Sequence, residues 1–506
     1  MTLVVLPILL PLIGAAVALL LRKWRGLQLG IGFAALGGAL AAAVTLLAAG
    51  KPAVYQMGAW AAPMGITIVA DALSLMFVVM SLFVLIFGLA YAAGAKDKCL
   101  RFPGFVPLFL ALSTALCGGM LTGDVFNFFV FVELLVISAA VLTAMSDDKS
   151  GVEAAWKYFY ISTFAGLLLL AASACLYAAY GTLNMADLAR LIAGGPSHPL
   201  LRPAAAMLLC ALLIKAAAVP FHFWQPDFHT VAPTPVSAML SAIVVKLGVY
   251  GVIRLDSLLF LPIADLAQPA LMATGFAGIL FGGFAAAGTH NLKRVLAYST
   301  LAQVGVIFVA LGLGSAAGLT AALVFSVNHA LVKSAMLMLA GAVASRAPVK
   351  SAGFDAVTGA GRATRLGGYL FILGAMALVG MPPMNGFVSK YMVLTAAAGA
   401  PKHAALLVVA VCLASAITLL YTFRAFSRVW WERLPEGKVA KKKGDSILAP
   451  LGLLAVALAM GIFPGPLVRL ATTTTAYVSD PSQYIAAVLG PSAVPARPVA
   501  SSEEAR

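Results

Sequence analysis

Charge is scarce in this chain. Asp, Glu, Lys and Arg make up 10% of its 506 residues, 18 acids against 33 bases, whereas a soluble domain carries about 25%. So little charge excludes an ordinary water-soluble surface, and the mean hydropathy of +1.01 points to a polytopic membrane protein. Cysteine is rare too. Cys99, Cys117, Cys175, Cys210 and Cys412 are scattered without a C-x-x-C spacing, which argues against a thiolate zinc or iron–sulfur site and leaves them as small apolar helix residues. There is no Walker A string, no G-x-G-x-x-G after a strand and no G-x-S-x-G elbow, hence no visible means of hydrolysing ATP or carrying electrons. No cofactor is expected, and energy must come from an ion gradient or from partner subunits. The excess of bases is not read as nucleic-acid binding, because in a membrane protein basic residues gather in cytoplasmic loops.

Long apolar runs fill the space that charge leaves. A span needs about 20 apolar residues, and cutting the chain at its Gly, Pro and charged breaks predicts an all-α polytopic membrane protein of about 14 transmembrane helices. The start, MTLVVLPILLPLIGAAVALLLRKWRG, lacks a basic leader and reads as the first span. The spans fall into residues 1–103 (helices 1–3), 104–254 (helices 4–8), 268–426 (helices 9–13) and 427–485 (a basic loop and helix 14), with a disordered tail expected over 486–506. The second and third blocks look alike in plan: each has about five spans, with the penultimate one interrupted by proline and bearing a lysine. Lys215 precedes Pro220, and Lys390 follows Pro382 and Pro383.

Basic residues sort to alternate loops. One side receives Arg22, Lys23 and Arg25, then Lys96, Lys98 and Arg101, later Lys293 and Arg294, and finally the run from Arg424 to Lys443; the other side receives little beyond Lys51, Arg190, Arg202 and Lys402. The positive-inside rule makes the first side cytoplasmic and places both termini outside. The run Lys441, Lys442 and Lys443 reads as an orientation signal on a solvated loop, with anionic lipid headgroups as the alternative partner.

The chain is organised around KAAAVPFHFWQPDFHTVAPTPVSAMLSAIVVKLGVY, residues 215–250. An ionisable group at mid-membrane costs several kcal/mol, about 3 on insertion scales, so Lys215 and Lys246 are retained for a purpose or face a wet interior. Proline removes a backbone donor and clashes with the preceding turn, so Pro220 should break the helix about one turn after Lys215. Glu133 lies midway along an otherwise uncharged span and needs a partner, for which Lys215 is the natural candidate; the bland alternative is a static pair joining two helices. Lys246 and Lys390 extend the row, with Lys333 and His329, four residues apart on one helix face, as links or, for His329, as a satisfied core histidine. Groups that titrate readily can hand a proton along if water fills the gaps. His222, Asp227 and His229 match no metal-ligand spacing and read as a polar broken-helix loop, a candidate proton entry. Asp71 and Asp124 read as helix N-terminal residues.

These strings, with LTGDVFNFFVFVELL around Glu133, NLKRVLAYSTLAQVG at 291–305, NHALVK at 328–333 and GMPPMNGFVSK at 380–390, resemble the antiporter-like subunits shared by respiratory complex I, membrane-bound hydrogenases and Mrp-type cation/proton antiporters. YQMGAWAAPMGITIVADALS at 55–74 and lysine at 390 bring the chain nearest to the D-type subunits of the Mrp Na⁺/H⁺ antiporters. The resemblance implies 14 transmembrane helices with two inverted five-helix repeats and broken helices 7 and 12. It also implies a bacterial inner membrane location, other membrane subunits as partners, and transport of protons against Na⁺ or K⁺, with proton pumping in a redox complex as the alternative. By the same resemblance Glu133 and Lys215 form an ion-pair gate, Lys246 is the central relay, His329 belongs to the relay and Lys390 is its terminal site. Asn291 departs from the aspartate found in many members and puts in doubt a carboxylate role at that loop.

Overall fold

The computed structural model describes residues 2–97, 101–146, 148–196, 198–260, 263–437, 439–441 and 443–493. The helices run in chain order as α1 (Leu6–Leu20), α2 (Arg25–Ala48), α3 (Ala72–Gly94), α4 (Phe105–Leu121), α5 (Val125–Ala144), α6 (Lys149–Tyr180) and the short α7 (Met185–Gly194). The first broken element follows, α8 (Leu201–Lys215) and α9 (Trp224–Val231), then α10 (Thr234–Met239) and α11 (Val245–Leu255), which a π-helical turn over Leu240–Val244 joins into one rod. Beyond it lie α12 (Ala264–Gly288), α13 (Leu292–Gly312), α14 (Ala316–Ala344) and the single turn α15 (Phe354–Val357). The second broken element is α16 (Arg365–Val379) and α17 (Asn385–Ala398), and α18 (Ala404–Phe426), α19 (Leu448–Ile462), α20 (Gly465–Val478) and α21 (Pro481–Leu489) complete the chain.

Among the described residues nine helices are long and apolar enough to cross a membrane, or ten if the pair α19 and α20, bent by 79°, is one span. Three further apolar helices among the segments expected as spans, α1, α4 and α16, are shorter, and prolines interrupt the chain after α8 and between α16 and α17. Among the described residues the helical pattern is interrupted by an antiparallel hairpin of β1 (Ala53–Gln56) and β2 (Thr67–Ala70) between α2 and α3, with β2 buried. The expected tail also starts later than residue 486: α21 continues to Leu489 and a 3-10 turn spans Pro491–Ala493, since Tyr484, Ile485 and Val488 bury one apolar face of that helix. Residues 494–506, like Lys98, Cys99 and Lys442, lie outside the described residues.

Two devices recur in the two similar blocks. Asp124 caps α5 by accepting the Asn127 N–H at 2.7 Å and forms an isolated bridge with Asn184. Asn291 caps α13 by accepting the Arg294 N–H at 3.2 Å and bridges to Gly353. The asparagine thus keeps the capping function of the aspartate without its charge.

The breaks are matched as well. After α8 the backbone turns through Ala217 in the left-handed region (φ 53°), and the Ala218 N–H returns to Leu213 O at 2.9 Å. After α16 Gly380 takes the same role (φ 90°), with the Met381 N–H on Met376 O at 2.9 Å. Such left-handed caps end helices while satisfying carbonyls that would otherwise be orphaned. At Gly380 the glycine has a second reason: an added Cβ would sit 2.7 Å from the Lys390 side-chain stem.

The best-buried elements are the rod over residues 234–260, whose apolar window is 100% buried, α14 at 94% and α13 at 89%; α2, α6 and α12 are only 39% buried and form the outer wall. Lys246, His329 and Lys333 therefore sit on the best-buried helices, whereas Glu133 stands on α5, which is 50% buried.

Candidate functional site

Lys215, Lys246, Lys333 and Lys390 are all buried, between 0% and 6% exposed. Lysine is almost never fully buried unless paired, so each ammonium has to be accounted for by its partners.

Lys215 ends α8 and donates to the Ser162 carbonyl of α6 at 2.9 Å. Glu133 on α5 points at the same wall, where a methyl on Gly166 would collide with its carboxylate. The two charges act on one another. Even so, among the described residues no ion pair within 4.0 Å joins them, and Glu133 Oε1 is buried without a hydrogen-bond partner. The break after α8 frees the last turn to lean on α6, and the lysine satisfies itself there.

Lys246 lies two residues beyond the end of the π-helical turn, an irregularity that occurs mostly at functional sites. Its Nζ is hydrogen-bonded to His329 Nδ1 on α14, and the donor depends on which of the two carries the proton. One turn along α14, Lys333 donates to Ser299 Oγ at 2.7 Å and to Leu296 O at 3.4 Å, both on α13. Ser299 also accepts the Tyr421 hydroxyl at 2.8 Å. Lys390 donates to Ser415 Oγ at 2.9 Å and to the carbonyl of Val379, the last residue of α16, at 3.1 Å. Breaking a membrane helix exposes such a carbonyl to a cation. Electrostatic interactions run on from His329 to Lys333 and from Lys333 to Lys390.

The histidine loop separates into three environments. His229 is fully buried, with Nδ1 3.3 Å from Ser237 Oγ and Nε2 unpartnered, and it feels the charges of Lys293 and Lys333. Asp227 lies at a cavity of about 260 Å³ on the face that carries the basic loops, paired with Arg294 and, at 3.5 Å, with Lys157. His222 turns away and packs on Phe281, ring centroids 4.4 Å apart. Among the described residues no three His, Cys, Asp or Glu side chains converge as a metal cluster would.

Two groupings of buried polar residues were not foreseen from the sequence. Asn328 donates to Ser389 Oγ at 3.1 Å, while its Oδ1 and both side-chain polar atoms of Asn385 are buried without protein partners, as is His329 Nε2. Unpartnered buried polar atoms of this kind are where internal water binds. Nothing in one sequence marks these asparagines. The second group is a buried ion pair, Arg254 Nη2 to Asp71 Oδ1 at 2.7 Å, roofed by the Tyr484 ring 4.8 Å from the guanidinium carbon. Here a signal existed: Arg254 stands eight residues after Lys246, on the same face of one apolar helix. Asp71 does cap α3, as expected, through a reciprocal box with Ser74.

Residues 122–418 match the NADH:quinone oxidoreductase/Mrp antiporter transmembrane family. The chain belongs to that family. It is 29% identical to the D-type subunit of the Na(+)/H(+) antiporter of Alkalihalophilus pseudofirmus, over 96% of this chain and 99% of that one. It is 35% identical to the N-type subunit of the NADH-quinone oxidoreductase of Desulforudis audaxviator, over 85% of this chain and 87% of that one. Its fold superposes on a chain of the Mrp complex from Dietzia sp. DQ12-45-1b with a TM-score of 0.89 and 27% identity, covering 97% of this chain and all of the other.

Proposed function

We propose that this chain is the proton-translocating subunit of a multisubunit monovalent cation/proton antiporter. It works as a secondary transporter subunit, with protons passing along Glu133, Lys215, Lys246, His329, Lys333 and Lys390. The observation that carries the reading is the row itself. Four buried lysines on four separate helical segments each meet a carbonyl, hydroxyl or imidazole, and the half-buried Glu133 carboxylate at the head of the row stands beside Lys215 without touching it.

Attraction to Glu133 holds the proton on Lys215, since two unit charges 4 Å apart interact by about 4 kcal/mol at an effective dielectric of 20. When the pair separates, the proton moves through water toward Lys246 and His329, then Lys333, and leaves at Lys390. Contact of Lys215 with the Ser162 carbonyl is the open arm of that cycle. His229, behind the cavity at Asp227, is the entry from the basic face; His222, turned toward the outer wall, serves the loop's packing. The basic face is cytoplasmic in a bacterial plasma membrane, the chain crosses 14 times, and both termini lie outside. A neighbouring subunit carries Na⁺ or K⁺, a hard cation that needs a cage of six or more oxygens. Full-length similarity to an Na(+)/H(+) antiporter subunit supports the antiporter assignment.

Everted vesicles containing the intact complex test this: added Na⁺ or K⁺ should collapse a pH gradient without any electron donor, and Lys215→Ala should abolish the response. The 35% identity to a quinone oxidoreductase subunit favours a second reading, a redox-driven proton pump. Vesicles silent to every cation but pumping once a donor is supplied would select it.

A further inference from the structure

A cavity of about 1180 Å³ opens on the basic face near the C-terminal ends of α3, α5 and α14. Lys96, Arg101, Lys350, Lys441 and Lys443 line it together with two carboxylates, Asp97 and Asp445. Both acids are engaged. Asp97 pairs with Lys350 at 2.7 Å, and Asp445 accepts the Tyr91 hydroxyl and the Lys96 backbone N–H, each at 3.0 Å. Among the described residues no carboxylate lies within 4.0 Å of Lys96, Arg101, Lys441 or Lys443. Four cations around one hollow repel each other unless an anion joins them.

The loop that carries two of these lysines is not a free solvated strand. The Lys441 N–H donates to Arg346 O at 2.8 Å, the Asp445 N–H to Ser345 Oγ at 2.9 Å, and Arg346 Nη1 to Asp445 O at 3.0 Å. These bonds pin the loop to the end of α14 and hold its lysines at the cavity rim. Apolar side chains share the lining: Val141, on the membrane-spanning α5, is 42% exposed and Phe102 58%. A site with cations at the headgroup level and hydrocarbon just below it matches an amphiphile with an anionic head better than a soluble anion.

We propose that this cavity binds an anionic phospholipid, its phosphate among Lys96, Arg101, Lys441 and Lys443 and its acyl chains along Val141 and Phe102. The test uses the purified intact complex in phosphatidylcholine nanodiscs with a titrated fraction of phosphatidylglycerol, and reads co-purified lipid by native mass spectrometry. Wild type should retain phosphatidylglycerol. The variant K96Q/K441Q/K443Q should need on the order of a hundredfold more of it for equal occupancy, and K96R/K441R/K443R should retain it, which separates charge from folding. Equal retention by the glutamine variant, or equal loss in both variants, overturns the proposal. Displacement of the lipid by millimolar inorganic phosphate would reassign the site to a free anion. If the glutamine variant instead sheds a partner subunit with its lipid unchanged, the cavity receives an acidic protein surface and the lipid assignment fails.

Discussion

Glu133 and Lys215 approach the same helix one turn apart, the carboxylate at Gly166 and the ammonium at the Ser162 carbonyl of α6. They feel each other's charge without a direct bond. Residues four apart share a helix face, so both groups meet one face of α6.

Gly166→Ala should therefore disturb transport without touching any charge. The new methyl must displace the Glu133 carboxylate, whereas alanine itself favours a helix by about 1 kcal/mol over glycine. Cation-driven proton flux should fall on the order of tenfold to a hundredfold with no loss of thermal stability. Unaltered flux in vesicles at matched expression would remove Glu133 from the gate.

Lys246 and His329 satisfy each other in the centre of the bundle. Replacing both partners of a buried polar contact by apolar groups of similar shape is nearly neutral, while deleting one strands the other at a cost of about 1–3 kcal/mol. The double variant Lys246→Met/His329→Phe should thus unfold close to the wild-type temperature yet carry no protons. A double variant that still exchanges cations for protons would mean the pair is only structural.

Ser299 joins Lys333 on α14 to Tyr421 on α18. Ser299→Ala should cost about 1–3 kcal/mol, and in a cycle with Tyr421→Phe the two effects should couple by about 0.5–3 kcal/mol. Denaturation of all four proteins in one detergent measures this, and strict additivity would show that the hydroxyl bridge carries no weight.

Asp71 and Arg254 should behave in the opposite way to the lysine row. Asp71→Asn leaves a buried guanidinium without its carboxylate and should destabilise by about 3–5 kcal/mol, while Asp71→Asn/Arg254→Leu should recover most of that. Exchange per folded molecule should stay near wild type. A specific loss of transport from the double variant would place this pair in the pathway too.

Much of this molecule is legible in one dimension because the bilayer constrains sequence locally. Apolar runs, the prolines that interrupt two of them and the loops that gather bases are properties of neighbouring residues, so the helical architecture, both broken elements and the buried ionisable residues follow from the chain itself. The asparagines at 328 and 385, by contrast, look like any polar residue on a helix until α14 and α17 are packed together.

Partners are what only the tertiary structure decided. That Lys215 rests on Ser162 rather than on Glu133, that Arg254 reaches Asp71 across 183 positions of sequence, and that the loop with Lys441 and Lys443 is pinned at a cavity all depend on distances between helices far apart in the chain. A hydrogen bond is lost over a displacement of one ångström or so, and no local pattern encodes a separation that finely. Sequence determines which groups are buried and ionisable; packing determines which of them touch.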